Sequence, residues 1–208
     1  MAERHIIDME TWPRRGHYRY FGNLDDPYFG IAAKADFTSC YLQARQDGES
    51  FFLYSLHRIL RAVNAVAEFR YRIEDGGVVL YDIVGASPTI GKEDGSFGFG
   101  YFDYYEDRAE FVREAKKEVA RVKAASGLCL GEGEARQDLI YYSSIPWIDF
   151  TGLKHAGNMS PGQSVPRIST GKLVPHEDRL LMTVSVELNH GLADARHVSQ
   201  FFGVLDMV

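Results

Sequence analysis

Apolar positions along this chain follow two spacings, and the switches between them mark its elements. Residues 50–67 (Phe51, Phe52, Tyr54, Ser55, Ile59, Leu60, Val63, Ala67) recur at helical spacing behind Ser50, a cap-forming residue. Phe111, Ala115, Val119 and Val122 predict a helix over 107–122, with Arg113, Glu114, Lys117 and Arg121 off its apolar stripe. Asp194 opens a short helix over 194–206 with Val198, Phe201, Phe202 and Leu205 on one face. Elsewhere the period is two. Tyr18–Phe21 reads as a strand running into a turn of Asn23, Asp25, Asp26 and Pro27, and Phe29–Ala35 as a second strand. Phe69–Ile73 and Val78–Tyr81 flank Glu74–Asp75–Gly76–Gly77 as a hairpin. Residues 96–101 alternate glycine with Phe97, Phe99 and Tyr101, as in a strand with close backbone neighbours. Tyr141–Tyr142 leads through Pro146 to Trp147–Phe150, with Trp147 read as a core anchor. Val165–Leu173 and Leu180–Leu188, joined by 174–178, are the final strands. In the last of them Met182, Val184, Val186 and Leu188 face one way, and Thr183, Ser185 and Glu187 the other. Strands outnumber helices and hairpin signals recur, which predicts an α+β fold with helices packed on a sheet.

Composition narrows the function classes. The chain has 208 residues, 45% of them hydrophobic, with no internal repeat and no linker, so one domain over 1–208 is expected. There are 23 basic against 29 acidic residues, the reverse of a nucleic-acid binder's balance. No apolar run approaches the roughly 18 residues of a membrane span, and residues 1–12 lack a signal core, which predicts a cytoplasmic protein. Cys40 and Cys129 are too few for a disulfide framework or a closed zinc site, and both read as inert small hydrophobes. No metal is expected.

The segment most suggestive of chemistry is Leu188–Asn189–His190–Gly191–Leu192–Ala193–Asp194–Ala195. A buried strand runs into a glycine-containing turn that presents an imidazole, followed four residues later by a carboxylate. Such a turn can hold a general base rigidly at a sheet edge. No Gly-x-Ser-x-Gly or comparable nucleophile motif is present.

The same segment resembles the His-His-x-x-x-Asp-Gly signature of the trimeric, acetyl-CoA-dependent chloramphenicol acetyltransferases, with Asn189 for the first His and Ala195 for the Gly. Arg196–His197–Val198 continues the resemblance, and Asp178–Leu181 with Ser185–Val186 fits the run into it. Trp12–Phe21 resembles that family's N-terminal Trp-Val-Arg-Arg-Glu-His-Phe segment. Asn64, Glu68–Arg70 and the hairpin to Asp82 resemble its middle, and Pro146–Phe150 its Pro-Trp motif.

The resemblance implies a mixed, mostly antiparallel sheet in a two-layer sandwich and a homotrimer with active sites between subunits. It implies acetyl-CoA as co-substrate, and the primary 3-hydroxyl of chloramphenicol as acceptor, hence antibiotic resistance as the role. His190 is then the general base, its other ring nitrogen bonded to its own carbonyl. Asp194 pairs with Arg14, and both shape the turn. The oxyanion hydroxyl is expected at position 152, here Gly152, leaving Thr151 as the neighbouring substitute. Tyr20, Phe21, Phe29 and Phe97 are matched to aromatic or acceptor-channel positions, and Ser169 to a threonine that holds a water. The Asn189 and Gly152 departures also admit another hydroxyl or amine acceptor, or a non-catalytic trimeric relative. His5, His57, His155 and His176 carry no partner pattern and read as surface or packing residues.

Overall fold

The computed structural model describes residues 2–157 and 162–207. In chain order its elements are β1 (Arg4–Ile6), α1 (Arg15–Phe21), β2 (Tyr28–Asp36), α2 (Thr38–Gln46), α3 (Phe51–Ala65), β3 (Tyr71–Glu74), β4 (Gly77–Tyr81), β5 (Gly85–Gly91), β6 (Phe97–Phe99), α4 (Arg108–Ala124), β7 (Leu139–Ser144), β8 (Arg167–His176), β9 (Arg179–Asn189) and α5 (Ala195–Asp206). Six strands form one sheet in the order β2-β9-β8-β7-β5-β6. β7 runs parallel to both β5 and β8, and the other pairs are antiparallel. β1, β4 and β3 make a smaller antiparallel sheet beside it. The α+β reading, with a mixed and mostly antiparallel sheet, is the architecture found. No helix among the described residues is long and apolar enough to cross a membrane.

Alternation assigns the two faces of the large sheet. Met182, Val184, Val186 and Leu188 of β9, Ile168 of β8 and Ile140 and Tyr142 of β7 turn toward the helices. There they pack with Leu56, Ile59, Leu60 and Val63 of α3, Phe111 of α4 and Phe201 of α5 in one continuous core. At about 25 cal/mol per Å² of apolar surface, this layer is the main source of stability. The intervening positions are polar, yet Arg167, Ser169, Thr183, Ser185, Glu187 and Asn189 are also buried. Register sets them in rows: Arg167 lies opposite Glu187, and Ser169 lies between Ser185 and Ser143. The segment after Pro146 covers part of this polar face, with Asp149 accepting from Thr183 Oγ1 at 3.2 Å.

Several local expectations change. Tyr18–Phe21 belongs to the helix α1, not to a strand. None of its residues is buried, so its aromatic run records no sheet alternation. It is anchored at its start by the buried Trp12, edge-on to Tyr18 at 6.3 Å and to Tyr71 at 5.4 Å. α2 goes unread in the sequence because its buried face is two small residues, Cys40 and Ala44. Ser50 holds the cap position of α3 without a side-chain capping bond. The hairpin forms where expected, turning on Asp75 (φ 50°) and Gly76 (φ 76°), the positive pair a type I′ turn requires. Trp147 is not a core anchor: it is 80% exposed.

Candidate active site

β9 ends at Asn189, and the backbone then turns sharply, with the amides of Leu192 and Ala193 both donating to the Asn189 carbonyl at 3.0 Å. The Asn189 side chain holds this turn from within. Its Oδ1 accepts from the Gly191 amide at 2.9 Å and its Nδ2 donates to the Gln163 carbonyl at 2.9 Å. Gly191 lies against α1: a Cβ there would sit 3.2 Å from Tyr18 Cα, so the absence of a side chain lets the two segments approach. The His190 amide donates to Pro27 O at 2.8 Å.

The half-buried His190 ring is clamped by two aromatics. Phe21 stacks on it at 4.0 Å and 6°, and Phe29 packs at 4.5 Å and 39°. Tyr20 is edge-on to Phe21 at 5.2 Å and itself exposed. His190 Nδ1 lies 3.1 Å from the Ala193 carbonyl, not from its own carbonyl as expected. A carbonyl only accepts, so Nδ1 carries a proton, and the lone pair of the neutral ring lies on Nε2. Nε2 has no hydrogen-bond partner among the described residues. The residue's own carbonyl instead accepts from Arg14 Nη2 at 3.3 Å.

Arg14 and Asp194 meet as expected, with Nη1 donating to Oδ2 at 2.6 Å. Asp194 also caps α5, accepting from the Arg196 amide at 3.0 Å, while its own amide donates to His197 Nδ1 at 3.0 Å. Partial burial pushes the Asp194 carboxyl upward. The Arg14 hydrogen bond, the His197 ring and the Arg196 amide outweigh it and hold the group below its ordinary 3.8. The carboxylate therefore acts as a clamp on the turn rather than as a proton donor near neutrality.

Phe97 and Ser169 lie apart from His190, on the polar face of the large sheet. There a cleft of about 500 Å³ is lined by Thr89, Phe97, Tyr141, Ser143, His155 and Arg167, among others. Ser169 is fully buried beneath it, with Oγ 2.7 Å from His155 Nε2. Thr151 and Gly152 are exposed and line none of the described cavities, and a Cβ at Gly152 would meet nothing within 4 Å. The oxyanion position expected there finds no cleft. Ser143, which sequence reading did not single out, faces the cleft 3.5 Å from Thr89 Oγ1. Its signal was present in the alternation of Tyr141–Ser144, which sends Tyr142 to the core and Ser143 to the opposite face.

His155 was also misread. Its amide donates to Glu187 Oε1 at 3.2 Å and its Nδ1 lies 3.2 Å from Glu187 Oε2. No local sequence pattern announces this, because the partners are 14 and 32 residues away. His57 is the packing residue expected, its imidazole pushed down by burial and bonded to Tyr105 O at 2.9 Å. Burial pushes the Cys40 thiol up to about 11, which leaves it a poor nucleophile.

A sheet in this strand order, with its helices on one face and a lone-pair imidazole at the end of β9, defines an acyltransferase of the coenzyme A-dependent fold class. A solved structure titled chloramphenicol acetyltransferase superposes at a TM-score of 0.92 over 99% of both chains, with 31% identity. The Azotobacter vinelandii dihydrolipoamide acetyltransferase shares the fold at a TM-score of 0.67 and 16% identity, over 92% of this chain and 84% of that one. The family model for chloramphenicol acetyltransferase matches residues 3–206, and the chain belongs to that family. Escherichia coli chloramphenicol acetyltransferase 2 is 26% identical over 203 residues, 97% of this chain and 95% of that protein. A Proteus mirabilis chloramphenicol acetyltransferase is 25% identical over 197 residues, 94% and 89% of the two chains.

Proposed function

We propose that this protein moves the acetyl group of acetyl-CoA to a primary hydroxyl on an aromatic acceptor of the chloramphenicol kind, with His190 as general base. The observation that carries this reading is the unpartnered Nε2 of His190, which holds the lone pair of the neutral ring because Nδ1–H is committed to the Ala193 carbonyl. Nε2 accepts the acceptor's hydroxyl proton while that oxygen attacks the thioester carbonyl. The tetrahedral oxyanion collapses, and the imidazolium returns the proton to the departing coenzyme A thiolate. Transfer is direct in a ternary complex. Phe21 and Phe29 keep the ring from rotating and shield it from water.

We assign the oxyanion donor to Ser143, supported by Thr89, in place of Thr151, because the hydroxyl must lie where an acceptor can be enclosed. Ser143→Ala is expected to lower kcat by about 10²-fold with little change in KM for acetyl-CoA. An unchanged kcat in steady-state assays would return the role to another donor.

His190 and the cleft lie on different parts of one chain, and this reading joins them across subunits of a homotrimer, the imidazole of one facing the cleft of the next. Exposed Trp147, Ile148 and Phe97, 80%, 58% and 46% accessible, support such burial. Acetylation of the 3-hydroxyl in the cytoplasm is the resistance role that follows.

Asp194→Asn is expected to reduce rate and stability together, since the Arg14 clamp fails while a capping side chain remains. The sign follows from the lowered carboxyl. Its stabilisation is present above the unfolded value of 3.8 and lost as pH falls through the lower folded value. The melting-temperature gap between wild type and Asp194→Asn should therefore be constant above about pH 5 and close in strong acid. Equal melting temperatures near neutrality with lost turnover would contradict the clamp.

The function itself is tested by coenzyme A thiol release from acetyl-CoA with and without chloramphenicol. Acceptor-dependent release supports it. Release without acceptor means hydrolysis, and no release with any hydroxyl acceptor removes the enzyme reading.

A further inference from the structure

The floor of the acceptor cleft carries a buried cation that the transfer chemistry does not use. Arg167, 8% exposed, borders two adjoining cavities of about 500 and 580 Å³, one reaching toward Phe97 and Ser143 and the other toward Phe29. Its guanidinium sits over the Tyr28 ring, 4.2 Å from Cζ to the centroid. The backbone of Gly157 also lies against it, where a Cβ would come within 2.8 Å of Cζ and Nη1 and nearer still to Nη2. The group is thus held between Tyr28 and Gly157.

Only one edge is engaged. Nη1 donates to Glu187 Oε2 at 3.4 Å, long against the roughly 2.7–2.9 Å of a strong charge-assisted pair. Glu187 is shared with the His155 amide and ring. Nε and Nη2 of Arg167 have no hydrogen-bond partner among the described residues. Around it, Lys154 lines the second cavity and makes no ion pair among the described residues. At the far end of the first, Arg136 is tied to Asp103 and Asp138, and Glu134 is exposed. The second cavity sets Lys154 and Arg167 against Asp26 and Glu187, and the first is walled in part by Phe97, Phe99, Tyr101 and Tyr141.

We propose, resting on the acetyltransferase reading above, that Arg167 is a specificity-determining residue that favours hydroxyl acceptors bearing a carboxylate over neutral ones such as chloramphenicol, which the site still takes. A planar guanidinium with two free, parallel donors matches a carboxylate's two oxygens, and burial strengthens the pair relative to water. The aromatic walls take the acceptor's ring while Arg167 takes its anion. A neutral acceptor leaves those donors without a partner once water is expelled, a cost that discriminates against it.

The test is a matched pair of ligands, tropate (an aryl hydroxy acid with a primary alcohol) and its neutral methyl ester. Binding to the full-length protein with coenzyme A present is measured by calorimetry, so the readout does not depend on turnover. Wild type is expected to bind tropate at least about 10-fold more tightly than the ester, in line with a charged hydrogen bond. Arg167→Gln should erase that preference and leave ester binding within about threefold. Gly157→Ala, which keeps the charge and displaces the guanidinium, should reduce the preference as well. Absence of any carboxylate preference in wild type, or its survival in Arg167→Gln, overturns the assignment. Failure of the acetyltransferase reading would appear instead in the thiol-release assay, with the binding result intact.

Discussion

His190→Ala is expected to lower kcat by about 10²–10⁴-fold, the range a positioned general base contributes, while changing KM for acetyl-CoA little. The geometry makes the effect specific to proton transfer. The ring's partners are Phe21, Phe29 and a single carbonyl, so its removal opens a half-buried gap at the sheet's end and leaves the core of β9 untouched. Melting temperature should shift by only a few degrees, because the clamp that holds the turn is built from other groups: Arg14 on Asp194, and the Asn189 side chain on Gly191. Steady-state kinetics beside a thermal melt separate the two effects. A near-normal rate with an intact fold would remove His190 from the mechanism. A rate loss matched by a large loss of stability would make the ring a structural residue.

The turn that carries His190 was legible in the sequence because its logic is local. A strand with apolar residues at alternate positions ends, glycine permits a close approach, and an N-cap aspartate opens a helix, all within eight residues. Arg14 could be linked to Asp194 only through the family resemblance, 180 residues away, and their 2.6 Å contact agrees with it. The cleft was less legible. Ser143 follows the same period-two rule as Tyr142, but its place on the cleft depends on its neighbours across the sheet, not on the Pro-Trp motif that follows it. His155 and Arg167 gain their meaning from a segment that crosses the sheet and from register between β8 and β9, neither of which a linear pattern encodes. The misread α1 has the opposite cause. Its aromatics mimic strand alternation, but they border the imidazole and a neighbouring sheet, so site geometry rather than core burial selects them.

Arg72→Met is expected to cost about 3–5 kcal/mol, the penalty of stripping the partner from several buried polar groups. Arg72 is fully buried, with no carboxylate in ion-pair contact among the described residues. Its guanidinium donates to four backbone carbonyls: Gln137 at 2.7 Å, Phe69 at 2.9 Å, Tyr71 at 2.7 Å and Leu139 at 2.7 Å. Burial pulls it down to about 10, so it remains protonated at neutral pH and donates from every nitrogen. These bonds fasten β3 of the small sheet to the start of β7, the strand that carries Ser143. Methionine fills similar volume but offers no donor, and the carbonyls sit where water cannot replace it. Lysine concentrates its donors at one atom and cannot reach carbonyls spread around a planar fork. Arg72→Lys should therefore recover only part of the loss. In a chain of this size the methionine variant should melt about 10 °C or more below wild type. Denaturant unfolding should show the same ordering, wild type above Lys above Met. A Met variant within about 2 °C of wild type would mean that the four carbonyls find other partners, and that the two sheets are joined by apolar packing alone.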